Sequence, residues 1–77
     1  MTDNRGLRVE VIDDEIVVSL PQSRYSVTYY KPKKSPQLLA KRISDKDDPH
    51  APMTLSEFLA RAWRAANDKA RELGWIV

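Results

Sequence analysis

Two short runs of alternating apolar residues constrain the fold of this chain more than any other feature. Residues 7–12 read LRVEVI, residues 15–20 read EIVVSL, and the pair Asp13-Asp14 separates them. A two-residue loop at this pair places six apolar residues on one face of a hairpin, whereas a slip of one residue would turn one set toward water. These six are Leu7, Val9, Val11, Ile16, Val18 and Leu20. The sequence therefore predicts an antiparallel hairpin in which Val9 lies opposite Val18.

The next segment predicts a third strand. Residues 25–30 read YSVTYY, a composition rich in the aromatic and β-branched residues that favour strands. A four-residue loop over residues 21–24 keeps the apolar positions in phase, whereas a three-residue loop would lose that phase. We therefore expect Ile16 to lie opposite Tyr29.

A fourth strand is predicted over residues 37–43, which read QLLAKRI and follow the turn-forming stretch KPKKSP. We expect this strand to pair with the third so that Tyr30 lies opposite Gln37. That pairing would continue the core face of the sheet through Leu38 and Ala40.

The clearest element is a C-terminal helix. Thr54 and Glu57 fit a capping box, in which the threonine side chain accepts a hydrogen bond from the backbone amide three residues later. The apolar residues that follow recur at helical spacing, which indicates one buried face. Gly74 lies where a left-handed residue commonly ends a helix.

Together these elements predict an α+β fold, ββββα, in which a four-stranded antiparallel meander packs one face against a single C-terminal helix. We assign the chain to one small domain, 1–77, with a frayed N-terminus (1–6), the meander (7–43), a polar linker (44–53) and the helix (54–74). The helix start Thr54-Leu55-Ser56-Glu57 is similar to that of small HicB-type antitoxin domains. The glycine-rich approach to that helix is missing here, and we assign the chain to no family.

The small size of the chain favours association with a second copy. A domain of 77 residues buries only about 60% of its unfolded surface. Because cysteine is absent, no disulfide or thiolate metal site can supplement the core. We therefore expect a homodimer, with a different protein partner as an open alternative. The sheet face opposite the helix is predicted to supply the interface residues Ile12, Val17, Tyr30, Leu39 and Ile43.

Charge is distributed unevenly along the chain. Residues 24–44 carry six basic and no acidic residues, whereas residues 1–23 carry five acidic and two basic residues. Clustered Lys and Arg can neutralise phosphates, and an exposed tyrosine can stack on an unpaired base. The candidate nucleic-acid contacts are Arg24, Tyr30, Lys31, Lys33, Lys34, Lys41 and Arg42. A basic hairpin is also a common protection against strand-to-strand aggregation, or it can contact acidic groups of a second subunit, and we favour these two interpretations.

The residues that could perform chemistry are few, and we predict no catalytic, cofactor or metal site. His50 is the only histidine and lies in a loop flanked by prolines, where a base would be poorly held. Asp45, Asp47, Asp48 and His50 form the tightest set of possible ligands, but they read more simply as a polar linker. With two glycines in the chain, a glycine-rich phosphate loop is excluded.

The N-terminal residues are polar, and no run approaches the roughly 20 apolar residues of a membrane span. We therefore expect no membrane association. A chain without cysteine fits the reducing cytoplasm. The sequence thus predicts a small, non-catalytic cytoplasmic interaction module, with nucleic-acid binding as the alternative.

Overall fold

The computed structural model describes residues 6–77, so most of the predicted frayed segment 1–6 lies outside the described residues. The chain forms a four-stranded antiparallel sheet in the order β1-β2-β3-β4, followed by one helix. This arrangement confirms the predicted ββββα fold. The elements are β1 (Arg8–Ile12), β2 (Glu15–Ser19), β3 (Ser26–Tyr30), β4 (Leu39–Ile43) and α1 (Leu55–Glu72).

The first hairpin has the predicted loop and register. Asp13 and Asp14 both adopt positive φ, at 49° and 64°. Two consecutive left-handed residues give a tight turn whose twist matches that of the flanking strands. Val9 pairs with Val18 and Val11 with Ile16, which confirms the prediction and places these four residues on one face.

The second hairpin also has the predicted register, because Ile16 pairs with Tyr29. The loop over residues 21–24 is closed by side-chain and backbone hydrogen bonds. The Ser23 hydroxyl donates to the Leu20 carbonyl at 2.7 Å and accepts from the Tyr25 amide at 3.1 Å. This serine therefore holds the two ends of the loop together, as expected of a turn-forming residue.

The predicted register of β4 is wrong by two residues, since Tyr30 pairs with Leu39 and not with Gln37. The loop between β3 and β4 is correspondingly longer than expected. Leu38 precedes the strand and is buried in the core as predicted, whereas Ala40 is exposed. A shift of two residues preserves the alternation of the side chains, so the apolar pattern could not distinguish the two registers.

A β-bulge changes the phase of β4 at Lys41. The pairing of Thr28 with Arg42 and of Val27 with Ile43 leaves Lys41 as the extra residue between Ala40 and Arg42. Directly opposed residues of an antiparallel pair point to the same face of the sheet. Ile43 therefore lies on the helix side with Val27, and the predicted placement of Ile43 on the opposite face is wrong.

Helix α1 packs across β1, β2 and β3, and this contact forms the core. The ring of Tyr25 stacks on that of Phe58 with centroids 5.2 Å apart, and Tyr29 packs against Trp63 at 5.7 Å. The remaining apolar residues of the main buried cluster are Ile16, Val18, Leu20, Val27, Leu38, Ala62, Ala66 and Ala70. The alanines on the helix allow its backbone to lie close to the sheet.

Both ends of the helix have the predicted caps. The Thr54 hydroxyl accepts from the Glu57 amide at 3.2 Å. At the C-terminus, Gly74 adopts a φ of 79°. The Gly74 amide donates to the Arg71 carbonyl, and the Trp75 amide donates to the Ala70 carbonyl at 2.8 Å. This pair of hydrogen bonds is a Schellman motif.

The linker between β4 and the helix is held in place by buried and partly buried hydrogen bonds. The Tyr25 hydroxyl accepts from the Asp48 amide and donates to the Met53 carbonyl, each at 3.0 Å. The two carboxylate oxygens of Asp48 accept from the backbone amides of Arg24 and His50, each at 2.9 Å. The linker is therefore an ordered connection that fixes the start of the helix relative to β3.

Candidate interaction surfaces

The face of the sheet opposite helix α1, called the open face below, is organised in rows across the strands. Residues paired across the strands share a face and lie on one line. The first row consists of Ile12, Glu15, Tyr30 and Leu39. The second row consists of Glu10, Val17, Thr28 and Arg42.

Four of the five residues predicted for a dimer interface lie on the open face. Ile12 and Leu39 are 49% and 46% exposed, at the two ends of the first row. Tyr30 and Val17 lie between them and are partly buried by their neighbours. Ile43 is 50% exposed but lies on the helix side of β4, so it does not belong to this set.

The open face has an acidic side and a basic side. Glu10 lies on β1, 3.7 Å from the guanidinium of Arg8 on the same strand, and Glu15 lies on β2, whereas Lys41 and Arg42 lie on β4. The two sides are connected within the chain, because the Lys41 ammonium lies 2.5 Å from a carboxylate oxygen of Glu15. Arg42 was predicted only as part of the basic hairpin, and it reaches the open face because of the bulge at Lys41.

The predicted nucleic-acid contacts do not form one compact patch. Lys31, Lys33 and Lys34 lie in the loop after β3, and the last two are exposed. Arg24 precedes the other end of β3, which at about 3.3 Å per residue is roughly 20 Å from this loop. Lys41 and Arg42 lie on β4 between the two ends.

Tyr30 is the only tyrosine of the basic stretch that is available for stacking. Tyr25 and Tyr29 are 1% and 3% exposed, and both belong to the core. Burial raises the pKa of the Tyr29 phenol to about 12, because the phenolate would have to be desolvated. Tyr30 lies on the open face and is partly exposed. The aromatic contribution of this surface to any base stacking is therefore one ring.

The acidic residues of the linker have structural partners. Hydrogen bonds from the backbone amides of His50 and Arg24 lower the pKa of the Asp48 carboxyl from its usual value. The Asp47 carboxylate accepts from the Leu55 amide at 2.6 Å, at the start of the helix. Within residues 6–77, no group of three or more acidic, histidine or cysteine side chains is arranged to hold a metal ion.

An open groove of about 550 Å³ lies between helix α1 and the C-terminal residues, and the sequence did not indicate it. Trp63 lines the groove and is 43% exposed, with its ring against Tyr29. Arg71 also lines it and donates to the Val77 carbonyl at 3.3 Å. The spacing of Trp63 among the apolar residues of the helix could not show that the C-terminal residues would form a second wall.

No family model, curated protein or solved structure matches this chain. Between residues 6 and 77, no helix combines the length and the apolar composition that crossing a membrane would require.

Proposed function

We propose that this protein is a small, non-catalytic cytoplasmic interaction module that forms a homodimer through the open face of its sheet. The observation that carries the proposal is the exposure of Ile12 and Leu39 at the two ends of one row, with Tyr30 between them. Glu15 separates Ile12 from Tyr30 in this row, but its charge is paired with Lys41. Exposed apolar side chains grouped on one face of a small domain commonly mark an interface.

Strand β4 gives further support. Each of its five residues is exposed, although the strand supplies two large apolar side chains, Leu39 and Ile43. Packing of a second copy on the open face would cover Leu39 and the adjacent Tyr30. The stabilisation would amount to about 25 cal/mol for each Å² of apolar surface removed from water.

The expected dimer is a weak one. Four strands spaced about 4.8 Å apart, with five residues each at about 3.3 Å, give a face of roughly 19 by 17 Å. Counted on both copies, this is roughly 650 Å² in projection, below the roughly 1,000 Å² of a stable specific interface, so the contact belongs to the weak and transient class. We therefore expect a dissociation constant in the micromolar range.

Sedimentation equilibrium of the chain over a concentration series tests the proposal. Leu39→Lys places a charge at the exposed apolar end of the first row, within the interface, and should give a folded monomer. Ile43→Lys is a matched control, because Ile43 has the same exposure on the same strand but lies on the other face. A wild-type chain that remains monomeric at about 100 µM would contradict the proposal, because an interface of this class should be populated there.

Nucleic-acid binding is the second candidate, supported by the exposed Lys33 and Lys34 beside Lys31 in the loop after β3. A loop of this charge can neutralise phosphates independently of sequence. The separation of Arg24 from this loop and the ion pair between Lys41 and Glu15 reduce the basic surface available to a polyanion. For this reason we rank the candidate below the dimer.

A further inference from the structure

We propose that the two copies are related by a twofold axis that lies in the interface, runs along the strands and passes between β2 and β3. In this arrangement Glu10 of each copy faces Arg42 of the other, and Ile12 of each copy faces Leu39 of the other. The proposal rests on the proposed function and adds to it the orientation of the second copy.

The argument starts from the rows of the open face. Each row crosses the sheet from β1 to β4. The first row begins with Ile12 and ends with Leu39, both apolar. The second row begins with the acidic Glu10 and ends with the basic Arg42. The first row therefore has an apolar residue at both ends, whereas the second row has an acid at one end and a base at the other.

A twofold axis along the strands places each row of one copy over the same row of the other copy, with the order of the strands reversed. The strand β1 of one copy then covers β4 of the other, and β2 covers β3. Ile12 meets Leu39 and Glu10 meets Arg42, so apolar surface faces apolar surface and an acid faces a base. Because the axis repeats each contact, the face is complementary to itself, as a twofold interface requires.

A twofold axis perpendicular to the strands gives a less favourable interface. Facing sheets pack with their strand directions within about 30° of each other, and this second axis also satisfies that condition. It would however place β1 over β1 and β4 over β4. With this axis through the second row, Glu10 of one copy would approach Glu10 of the other and Arg42 would approach Arg42, so like charges would face each other across a partly desolvated interface. Moving the axis toward Arg8 would oppose Glu10 to Arg8 of the other copy and would leave Arg42 without Glu10 as a partner.

Pairing through the edges of the sheet is also opposed by charge. An antiparallel β4–β4 contact would bring Lys41 and Arg42 of both copies together at its centre, and the bulge at Lys41 interrupts the hydrogen-bonding edge. A β1–β1 contact centred on the midpoint of the strand would place Glu10 of both copies directly opposite each other. Like charges directly opposite each other destabilise a strand pair, and bulges protect an edge from pairing.

A charge-swap experiment tests this orientation. Glu10→Lys alone places a base against Arg42 at both symmetric contacts, and Arg42→Glu alone places an acid against Glu10. Each single variant should dimerise at least about tenfold more weakly than the wild-type chain. An equimolar mixture should form a one-to-one heterodimer, because each contact then joins an acid to a base. Native mass spectrometry identifies the heterodimer by its mass.

Four outcomes separate this inference from the proposed function. Formation of the heterodimer in the mixture supports the axis along the strands. If the wild-type chain dimerises and both single variants dimerise equally well, the proposed axis is wrong, whereas the open face remains the interface. Oligomers larger than a dimer would contradict the proposed axis. They would indicate that the edge strand β1 of one copy pairs with the edge strand β4 of the next, a contact that does not close after two copies. A monomeric wild-type chain would contradict the proposed function itself. Helical circular dichroism of each single variant checks that the variants are folded.

Discussion

The ammonium of Lys41 lies 2.5 Å from a carboxylate oxygen of Glu15, and this ion pair joins β4 to β2 across the open face. Lys41 lies two residues after Leu39 on β4, so the alternation of the strand places it on the same face as Glu15. It neutralises one acid in the middle of the first row, directly beside Tyr30. An uncompensated carboxylate at that position would be costly to cover with a second copy.

The ion pair should contribute little to the stability of the monomer and more to the dimer. Because both side chains are partly exposed, a double-mutant cycle with Lys41→Met and Glu15→Gln should give a coupling energy of about 0.2–1 kcal/mol in the monomer. Urea unfolding at low protein concentration measures this coupling. Lys41→Met alone should weaken dimerisation, because it would leave Glu15 buried without a partner. Unchanged dimerisation would show that Glu15 stays in contact with water.

The sequence predicted the fold because the relevant signals are local. The alternation about Asp13-Asp14 determines the first hairpin, and the phase of Tyr29 determines the second. The register of β4 could not be predicted, because a shift of two residues leaves the alternation unchanged and a bulge leaves no local sequence signal. As a consequence, the face of Ile43 was predicted incorrectly, and the position of Arg42 on the open face was missed.

The hydrogen bonds that order the linker were also not predictable from the sequence. Asp48 bonds the Arg24 amide, and the Asp48 amide bonds the Tyr25 hydroxyl, across more than twenty positions of the chain. No spacing rule relates an acid in a proline-containing linker to the start of a strand. The segment carried the composition of a solvated linker, and its role becomes visible only when β3 and the helix are brought together.

Asp48 should make the stability of the protein sensitive to acid. Its folded-state pKa is lowered by the amides of His50 and Arg24, so the carboxylate contributes stability above the unfolded-state pKa of about 3.9. That contribution is lost as the pH falls through the folded-state pKa. In Asp48→Asn, the side-chain NH₂ group would face one of the two backbone amides, and the hydrogen bond from that amide would be lost. The melting temperature should therefore be lower at pH 7. It should also depend less on pH below 4, because this side chain no longer titrates.

Asp45→Asn provides the matched control, since Asp45 is exposed in the same linker and the substitution changes the net charge equally. Thermal melts of the three proteins between pH 2 and 7 test the prediction. A parallel pH dependence of Asp48→Asn and the wild-type chain would show that the two amide contacts do not persist in solution.

Tyr29 should produce a loss of stability at high pH. Its folded-state pKa is raised to about 12 by burial, whereas an unfolded tyrosine ionises near 10. The buried phenol therefore contributes stability that is fully present below pH 10 and is lost as the pH rises toward 12. Tyr29→Phe should reduce this alkaline loss, measured by urea unfolding between pH 9 and 11.

Tyr30→Phe is the control for Tyr29→Phe, because it removes the phenol of the neighbouring residue on the open face. The alkaline loss should be retained in this variant. If Tyr29→Phe and Tyr30→Phe change the pH dependence equally, the burial of the Tyr29 hydroxyl is not its cause.

Gly74 should be required because of its left-handed backbone conformation, since the structure has room for a side chain at this position. It has a φ of 79°, and a Cβ atom added there would meet no atom within 4 Å. Gly74→Ala should therefore lower the free energy of unfolding by about 1–2 kcal/mol, the cost of a left-handed L-residue. Gly74→Asn should cost less, because asparagine tolerates this conformation better. Equal costs for the two variants, measured by urea unfolding, would argue against a left-handed residue at this helix end.

The lysines of the loop after β3 test the nucleic-acid alternative. If Lys31, Lys33 and Lys34 contact phosphates, replacing all three by Ser should reduce retention on heparin and on single-stranded DNA. It should also reduce the slope of log affinity against log salt by roughly 2–3, because each phosphate contact contributes about 0.7–0.9. Lys46 is an exposed lysine of the linker, and Lys46→Ser is the control for a general loss of positive charge. Fluorescence anisotropy with a labelled oligonucleotide over a salt series measures both quantities. Equal effects of Lys46→Ser and of each single loop substitution would indicate only nonspecific attraction, and the loop would then serve to keep the edge strand β4 from pairing with other chains.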